Sequence, residues 1–213
     1  MAPLVSLAEL KTYLGLTGTA DDQIIASAAS NASIMVERDT GRIFAVASNV
    51  TRKYSTNGEA VLTIHDRPVT DTTRTVTLIG AALTETEGYW LLPDWRDNLT
   101  STSIQLRYFD RTRADWYKVD PFWFDKNLDN YPYSQGSPND LVITGVEGHP
   151  VLPLDVFEWT RRLAAFLYWQ AKGGASGFVQ SPEGFEFDLS QDRPPGYERF
   201  VKDWTLRTAV AGI

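Results

Sequence analysis

The spacing of apolar side chains changes twice along the chain, and this limits the folds open to it. Residues 1–45 and 150–174 repeat apolar positions at the 3.6-residue spacing of amphipathic helices, whereas residues 46–149 approach the two-residue alternation of strands. Helices kept apart from a block of strands favour the α+β class over folds that alternate helix and strand. We therefore predict terminal helices that form a small bundle, an inserted antiparallel β-rich domain, and a C-terminal arm with a helix over residues 175–213.

The first two predicted helices carry start and stop signals. Ser6–Glu9 has the spacing of a capping box, and Gly15 ends this short helix. Asp21 or Asp22 caps a longer helix, which Gly41 ends in the left-handed conformation. The inner face of the longer helix consists largely of alanine, so a neighbouring helix can approach it closely.

The third predicted helix carries more apolar surface than one core contact needs. Asp155–Glu158 has the spacing of a second capping box, and Gly173 ends the helix. Its apolar side chains cover an arc of about 200°, which predicts contact with two separate surfaces. Trp169 lies on the charged side and is a candidate partner contact. A last helix over Tyr197–Val210 is amphipathic, which predicts docking either on its own domain or on another chain.

Strand patterns dominate the middle of the chain. Val50–Ser55 and Ala60–Ile64 flank Asn57-Gly58, a dipeptide that suits a tight type I′ turn and predicts a hairpin. Residues 110–140 are predicted to form a long loop, and a loop of this length in a compact domain indicates a function. The further strand candidates are Thr75–Ile79, Tyr89–Leu92, Ser103–Phe109, Trp116–Val119 and Leu141–Val146.

Aromatic side chains concentrate around this loop, with nine of them between residues 108 and 133. Three interpretations remain open: anchoring of the loop on the sheet, a protein–protein surface, or stacking against sugars or unpaired bases. Aspartates outnumber lysines and arginines between 110 and 140, which counts against nucleic acid. The candidate partner-contact residues in this loop are Trp116, Tyr117, Trp123 and Tyr131.

Composition excludes several classes of function. The formal net charge is −7, so the chain as a whole repels nucleic-acid phosphates and anionic lipids. The sequence contains no cysteine, which excludes disulfides, thiolate metal sites and a thiol nucleophile. No apolar run reaches the length of a membrane span, and no signal-peptide pattern opens the chain. We therefore expect no membrane contact, no metal and no cofactor.

Catalytic motifs are missing as well. The sequence lacks the zinc-binding HExxH, the phosphate-binding GxxxxGK[ST], the dinucleotide-binding GxGxxG and the nucleophile motif GxSxG. Its two histidines, His65 and His149, lie far apart, and a structural role is favoured for each. Asp94 and Asp97 have the chemistry of a carboxylate pair for sugar hydrolysis, but a polar turn explains them more simply. We predict no enzymatic activity.

The order of these features resembles the head–tail connector, or adaptor, proteins of tailed bacteriophages and related gene transfer agents. Leu4–Leu16, Asp21-Asp22 and Glu37–Arg42 are similar to the family's opening helix, acidic helix cap and second-helix exit. The later matches follow in the expected order: Arg67-Pro68-Val69, Val142–Gly148 before Pro153–Val156, and the long helix that ends at Tyr168-Trp169.

The resemblance implies a structural protein of the virion, at the head–tail junction, made in the cytoplasm of a bacterial host. Such connectors form a homo-oligomeric ring, typically a dodecamer, that binds the portal protein above and a tail-completion or stopper protein below. DNA passes through the ring without sequence-specific binding, and a negatively charged protein suits such a conduit. On this interpretation the wide apolar face of helix 155–172 contacts both the core and the next subunit.

Candidate contacts follow from the same interpretation. Trp159, Phe166 and Trp169 are predicted at subunit or portal contacts, and Phe200 and Trp204 are predicted to dock the last helix on a neighbouring chain. The alternative function, from another class, is a carbohydrate-binding β module that uses the exposed Trp and Tyr side chains of the loop as platforms. A glycosidase with paired carboxylates ranks third.

Overall fold

The chain has an α+β fold, as predicted. The computed structural model describes residues 3–55, 61–86, 88–94, 96, 98–106, 108–110, 115–117, 139–173, 178–180, 186–188 and 191–205. Within them it places helices near both ends and antiparallel sheets between them. Residue contacts divide the chain into a helical unit, which contains Met1–Ala45 and Val151–Leu206, and a β unit, which contains Val46–Pro150.

The elements are numbered in chain order. The helices are α1 (Leu7–Leu14), α2 (Asp22–Thr40), α3 (Leu154–Gly173) and α4 (Tyr197–Trp204). The strands are β1 (Ala47–Tyr54), β2 (Val61–Pro68), β3 (Thr75–Leu78), β4 (Ala81–Leu83), β5 (Tyr89–Pro93), β6 (Thr100–Leu106), β7 (Tyr108–Asp110), β8 (Asp115–Tyr117), β9 (Leu141–Glu147), β10 (Phe178–Gln180) and β11 (Glu186–Asp188).

Local sequence signals set the limits of α1 and α2. The Ser6 hydroxyl accepts from the Glu9 N–H at 3.2 Å and the Glu9 carboxylate accepts from the Ser6 N–H at 2.8 Å, so the predicted capping box is confirmed. Gly15 and Gly41 have left-handed φ angles of 68° and 67° and end the two helices as predicted. Asp21 stands at the N-cap of α2, but its side chain makes no cap hydrogen bond.

A shared apolar core holds the helical unit together. Alanines from α2 and α3 belong to this core and are almost fully buried, and such small side chains let two helices pack closely. The buried core residues are Val5, Leu10, Tyr13, Leu14, Ile25, Ala28, Ala29, Ala32, Val36, Phe44, Val156, Leu163, Ala164, Ala165, Tyr168, Tyr197, Phe200 and Trp204.

Helix α3 is covered by its own chain more fully than its sequence suggests. No residue from Val156 to Gln170 is exposed, because α1, α2 and α4 all contact the helix. The chain itself therefore supplies a second surface for this helix, and the coverage of its partly exposed side chains by a neighbouring subunit stays a prediction. The predicted capping box is also wrong, because α3 begins before Asp155 and the Glu158 carboxylate instead accepts from Arg161 at 2.6 Å.

Helix α4 is shorter than predicted and packs on the helical unit. Its backbone leaves the helical region at Thr205, where ψ is 131°, so it ends at Trp204 instead of Val210. Tyr197, Phe200 and Trp204 lie three and four residues apart, on one face, and all three are buried in the core. The sequence left open whether this helix docks on its own domain or on another chain. The described part of α4 docks on its own domain.

The β unit contains two main antiparallel sheets in its described part. One has the strand order β1-β9-β3-β4 and the other β2-β6-β5, while β7 and β8 form a separate pair. Every second residue of β9 is buried, the alternation expected of a strand with one face on a core. Ile104, Leu141 and Ile143 lie at the centre of this core and are fully buried.

The predicted hairpin around Asn57-Gly58 is wrong. Strand β1 pairs with β9, nearly a hundred residues later, and β2 pairs with β6, so the two predicted hairpin strands belong to different sheets. The other five strand candidates each coincide with described strands, within a few residues at their ends. Strand formation depends on local pattern, whereas the partner of a strand depends on burial in the whole domain.

Candidate functional site

Aromatic side chains of α3 and α4 form one cluster in the helical unit. The ring of Trp159 stacks on Phe200 with centroids 5.7 Å apart, and the ring of Tyr197 meets Trp159 edge-on at 6.3 Å. At the other end of α4, the Trp204 indole Nε1 donates to the Asp155 carboxylate at 2.6 Å. Contacts at both ends therefore fix α4 on the first turns of α3.

Arginine side chains pack against the rings of this cluster. The buried guanidinium of Arg42 lies 5.1 Å from the centre of the Trp204 ring, and the guanidinium of Arg162 lies 5.3 Å from that of Trp159. Both distances are within the range of cation–π attraction, in which the negative face of an aromatic ring attracts a cation. The cluster therefore already binds cationic groups of its own chain.

A surface cavity of about 240 Å³ opens beside the aromatic cluster. This volume is smaller than that of typical small-molecule sites, which are about 300–1,000 Å³, and it suits a single side chain better than a cofactor. The wall combines aromatic rings with two carboxylates and one guanidinium. The lining residues are Asp155, Trp159, Gly196, Arg199, Phe200, Asp203 and Trp204.

Gly196 allows the close approach that shapes this cavity. Its φ angle is +84°, and a Cβ added there would lie 3.1 Å from the Cη2 atom of Trp159. Any other residue at this position would strain the backbone and press on the indole ring. In the sequence, Gly196 looked only like the end of the Pro-Pro-Gly turn before the last helix.

The structure places the five predicted contact residues in two groups. Phe166, Phe200 and Trp204 are at most 6% exposed, so in the single chain they are core residues. They expose little surface in the single chain, and their role in a portal or subunit contact stays a prediction. Trp159 and Trp169 remain partly exposed, and their contact role stays a prediction.

The structure describes no aromatic side chain of the 110–140 loop. Trp116 and Tyr117 lie in β8, of which the structure describes the backbone alone, and Trp123 and Tyr131 lie outside the described residues. The partner-contact and carbohydrate-platform interpretations of these residues therefore stay predictions.

A polar cluster that the sequence did not indicate joins α2 and α3. The Tyr168 hydroxyl and the Lys172 ammonium both donate to the Asp21 carboxylate, at 2.9 and 2.7 Å. These two hydrogen bonds lower the pKa of Asp21, while burial and the hydrogen bond to Asp21 raise the pKa of Tyr168 to about 12. The Asp21 carboxylate thus binds two side chains of α3, which explains why it accepts no hydrogen bond from the backbone at the start of α2.

The β unit buries a network of charged side chains. Glu147 accepts from the Arg52 guanidinium at 2.9 and 3.1 Å and from the Arg67 guanidinium at 3.0 Å, and both Glu147 and Arg67 are at most 2% exposed. His149 Nε2 lies 3.2 Å from the carboxylate of Asp66, which is also buried. Arg67 belongs to the Arg-Pro-Val segment of the sequence, and the network gives that segment a structural role.

The candidate catalytic residues occupy structural positions. Asp94 accepts from the Arg96 N–H at 3.0 Å within a turn after β5, as a polar-turn residue does, and Asp97 lies outside the described residues. His65 is half-buried beside Tyr54, and burial lowers its pKa. Among the described residues no group of His, Asp and Glu side chains is arranged to hold a metal ion, and no helix is long and apolar enough to cross a membrane.

Comparison with known proteins gives a structural likeness but no sequence relative. No family model matches the sequence, and no curated protein matches it. A solved structure described as the neck of an empty GTA particle computed with C6 symmetry matches 98% of this chain and 93% of that chain, with 14% sequence identity and a TM-score of 0.49.

Proposed function

We propose that this protein is a structural component of the neck of a phage-like particle, where copies form a ring under the portal protein. The ring surrounds the path of DNA, contacts a tail-completion or stopper protein on its other side, and catalyses no reaction. The protein is made in the host cytoplasm and acts in the assembled virion.

One observation carries this proposal: a single helical core is interrupted, between α2 and α3, by an antiparallel β unit. The connector resemblance implies the same order of helices, inserted strands and long helix. The residues of that resemblance have defined structural positions in this fold, such as the capping box at Ser6, the left-handed Gly41 and the buried Arg67. The absence of a catalytic arrangement among the described residues is compatible with a structural role.

The surface of the helical unit supplies candidates for ring contacts. Ile34 in α2 is 50% exposed, and Val151 and Leu154 at the start of α3 are 66% and 74% exposed. Large apolar side chains exposed on a small unit are typical of surfaces that another protein covers. Together with the partly exposed Trp159 and Trp169, they extend the set of proposed subunit and portal contacts.

The test is the mass of the purified chain, alone and mixed with the portal protein encoded in the same genome. We expect a closed ring of many copies, at high concentration or on addition of portal, seen by native mass spectrometry and by electron microscopy. A chain that stays monomeric in both conditions contradicts the proposal.

A matched pair of variants locates the contact. Ile34→Asp places a charge in the proposed apolar contact and should weaken ring formation at least tenfold. Ala26→Asp introduces the same charge about two turns away and about 80° around the helix, at another exposed position of α2, and should leave the ring intact. Equal effects of the two substitutions would remove Ile34 from the interface.

A further inference from the structure

We propose that Ile79, at the tip of the hairpin formed by β3 and β4, contacts the exposed Val151–Leu154 segment of a second copy of the chain. This inference rests on the proposed function, because the ring supplies the second copy. It adds which two segments of neighbouring copies meet.

The first support is a strained backbone at the hairpin tip. Ile79 and Gly80 form a two-residue connection with φ angles of 50° and 76°, as in a type I′ turn, which favours asparagine and glycine. A β-branched side chain is unfavourable at a positive φ angle, because its Cβ crowds the backbone carbonyl oxygen. The Ile79 N–H donates to the Asp140 carbonyl oxygen at 2.8 Å and holds the turn in this geometry. The turn itself therefore does not favour isoleucine.

Other left-handed positions of the chain show the residue that a turn alone selects. Five non-glycine residues in the described part have positive φ angles, and Ile79 is the one apolar residue among them. Asparagine tolerates this conformation because its short polar side chain can hydrogen-bond to the nearby backbone. The other four are Asn49, Asn98, Asn139 and Thr86.

The second support is the exposure of the same side chain. Ile79 is 63% exposed, and a Cβ added at Gly80 would have no atom within 4 Å, so the space beside the turn is open. The isoleucine therefore pays the cost of a strained backbone without being buried by its own chain. Strain of this kind is concentrated at functional positions, and an exposed apolar side chain at such a position is suited to a contact with another protein.

The third support is the distribution of charge, which favours a second copy as the partner. Each chain has a net charge of −7, so copies repel each other overall and associate best through uncharged segments. Leu78–Leu83 and Val151–Leu154 contain only apolar residues. In the second segment, Val151 and Leu154 are 66% and 74% exposed. The two segments can meet without removing a charged side chain from water.

The size of the tip defines what this contact contributes. A stable interface buries at least about 1,000 Å², far more than one isoleucine provides. The tip therefore strengthens and orients an association that other contacts of the ring also hold. Because Ile79 of one copy meets a different segment of the next, the contact is heterologous, which is the kind that closes into rings.

The first experiment is disulfide cross-linking between copies, for which a chain without cysteine is well suited. A tagged Ile79→Cys chain is mixed with an untagged Leu154→Cys chain and oxidised with copper phenanthroline. Each chain then has one cysteine, so a disulfide between tagged and untagged chains joins two copies. We expect this product to form at least tenfold faster than with Ala26→Cys, which places the thiol at an exposed position of α2.

The second experiment measures stability and association in the same variants. Ile79→Asn relieves the strain and removes the apolar side chain, so it should raise the Tm by about 2–4 °C. It should also weaken ring formation about tenfold, the factor expected when one isoleucine side chain loses its burial. Ile79→Val keeps a β-branched apolar side chain and should change neither property. Val46→Asn removes another exposed apolar side chain of the β unit, 54% exposed, and should leave the ring intact.

The outcomes separate this inference from the proposed function. A lower Tm in Ile79→Asn would show that the isoleucine serves the fold of its own chain, and unchanged ring formation would remove it from the contact. A ring that requires Ile79 but forms no selective disulfide with Leu154→Cys would place the tip against another surface. Each of these results overturns this inference and leaves the proposed ring standing. A selective disulfide in a chain that forms no ring, alone or with portal, contradicts the proposed function instead.

Discussion

The helical unit and the β unit of this protein differ in the partners that they give to their polar and charged side chains. In the helical unit, hydrogen bonds such as Tyr168–Asp21 and Trp204–Asp155 lie at partly buried positions around an apolar core. In the β unit, Arg67 and Glu147 are almost completely buried, with Arg52 completing the network from the surface. Both units bury charged side chains, but the carboxylate of Glu37 in the helical unit accepts from backbone N–H groups, whereas Glu147 in the β unit pairs with two arginines.

This difference indicates which kind of substitution destabilises each unit most. A charge pair in the interior is not a strong source of stability, since desolvation offsets much of the attraction, but removing one partner leaves the other buried and unpaired. An apolar helical core fails instead through changes of volume, because close-packed small side chains leave no room for additional atoms. We therefore expect the β unit to be most sensitive to lost charge and the helical unit to added bulk.

The largest effect is expected for Glu147→Ala in the β unit. It leaves the buried Arg67 guanidinium without its carboxylate and should lower the free energy of unfolding by about 3–5 kcal/mol. Urea unfolding gives the magnitude, and hydrogen exchange followed by mass spectrometry should place the loss of protection in β2 and β9.

The control is another ion pair of the same unit. Glu85 binds the buried Arg74 at 2.7 Å but is itself 45% exposed. Water can replace its carboxylate and Arg74 keeps the Pro68 carbonyl oxygen as an acceptor at 3.0 Å, so Glu85→Ala should cost only about 1 kcal/mol. If both substitutions cost the same, burial does not distinguish the two pairs and the contrast between the units fails.

The parts of the fold that depend on local chemistry were predictable. The capping box at Ser6 and the helix ends at Gly15 and Gly41 depend on a few neighbouring residues, and all three are confirmed. The pairing of the strands around Asn57-Gly58 could not be predicted in this way, because a turn-forming dipeptide does not decide which strand pairs with β1. No local feature of the sequence indicates that residues near 50 pair with residues near 145.

At the candidate site, too, local patterns were predictable, whereas contacts between elements distant in the sequence were not. The width of the apolar arc on α3 correctly predicted two contact surfaces, but an arc does not say whether the second surface belongs to the same chain. The amphipathic pattern of α4 predicted that the helix docks on a surface. The apolar residues of this pattern, Tyr197, Phe200 and Trp204, form its buried face. The Trp204–Asp155 hydrogen bond and the cavity beside it arise where α4 meets α3, which no local pattern records.

A smaller effect is expected for Ala164→Leu in the helical unit. Ala164 is fully buried in α3, and three additional carbon atoms should cost about 2 kcal/mol through overpacking, with faster hydrogen exchange in α3. Ala171→Leu makes the same change at an exposed position of the same helix and should alter stability by less than about 0.5 kcal/mol. A tolerated Ala164→Leu would mean that the alanine core contains free space, against the close packing inferred here.

The smallest effect concerns the rim of the helical unit and depends on pH. The neutral Tyr168 hydroxyl donates to Asp21, so Tyr168→Phe should cost about 1 kcal/mol near neutral pH. Because the pKa of Tyr168 is raised to about 12 in the folded chain, its contribution is complete below the ordinary tyrosine pKa of 10 and is lost between pH 10 and 12.

Unfolding of the wild type and of Tyr168→Phe, compared from pH 8 to 12, isolates this contribution, since all other ionisable groups are the same in both proteins. The stability advantage of the wild type should shrink steadily above pH 10. An advantage that stays constant over this range would mean that the hydroxyl ionises equally in folded and unfolded chains. Folding would then not raise the pKa of Tyr168, and the hydrogen bond from its neutral hydroxyl to Asp21 would not be what stabilises this contact between α2 and α3.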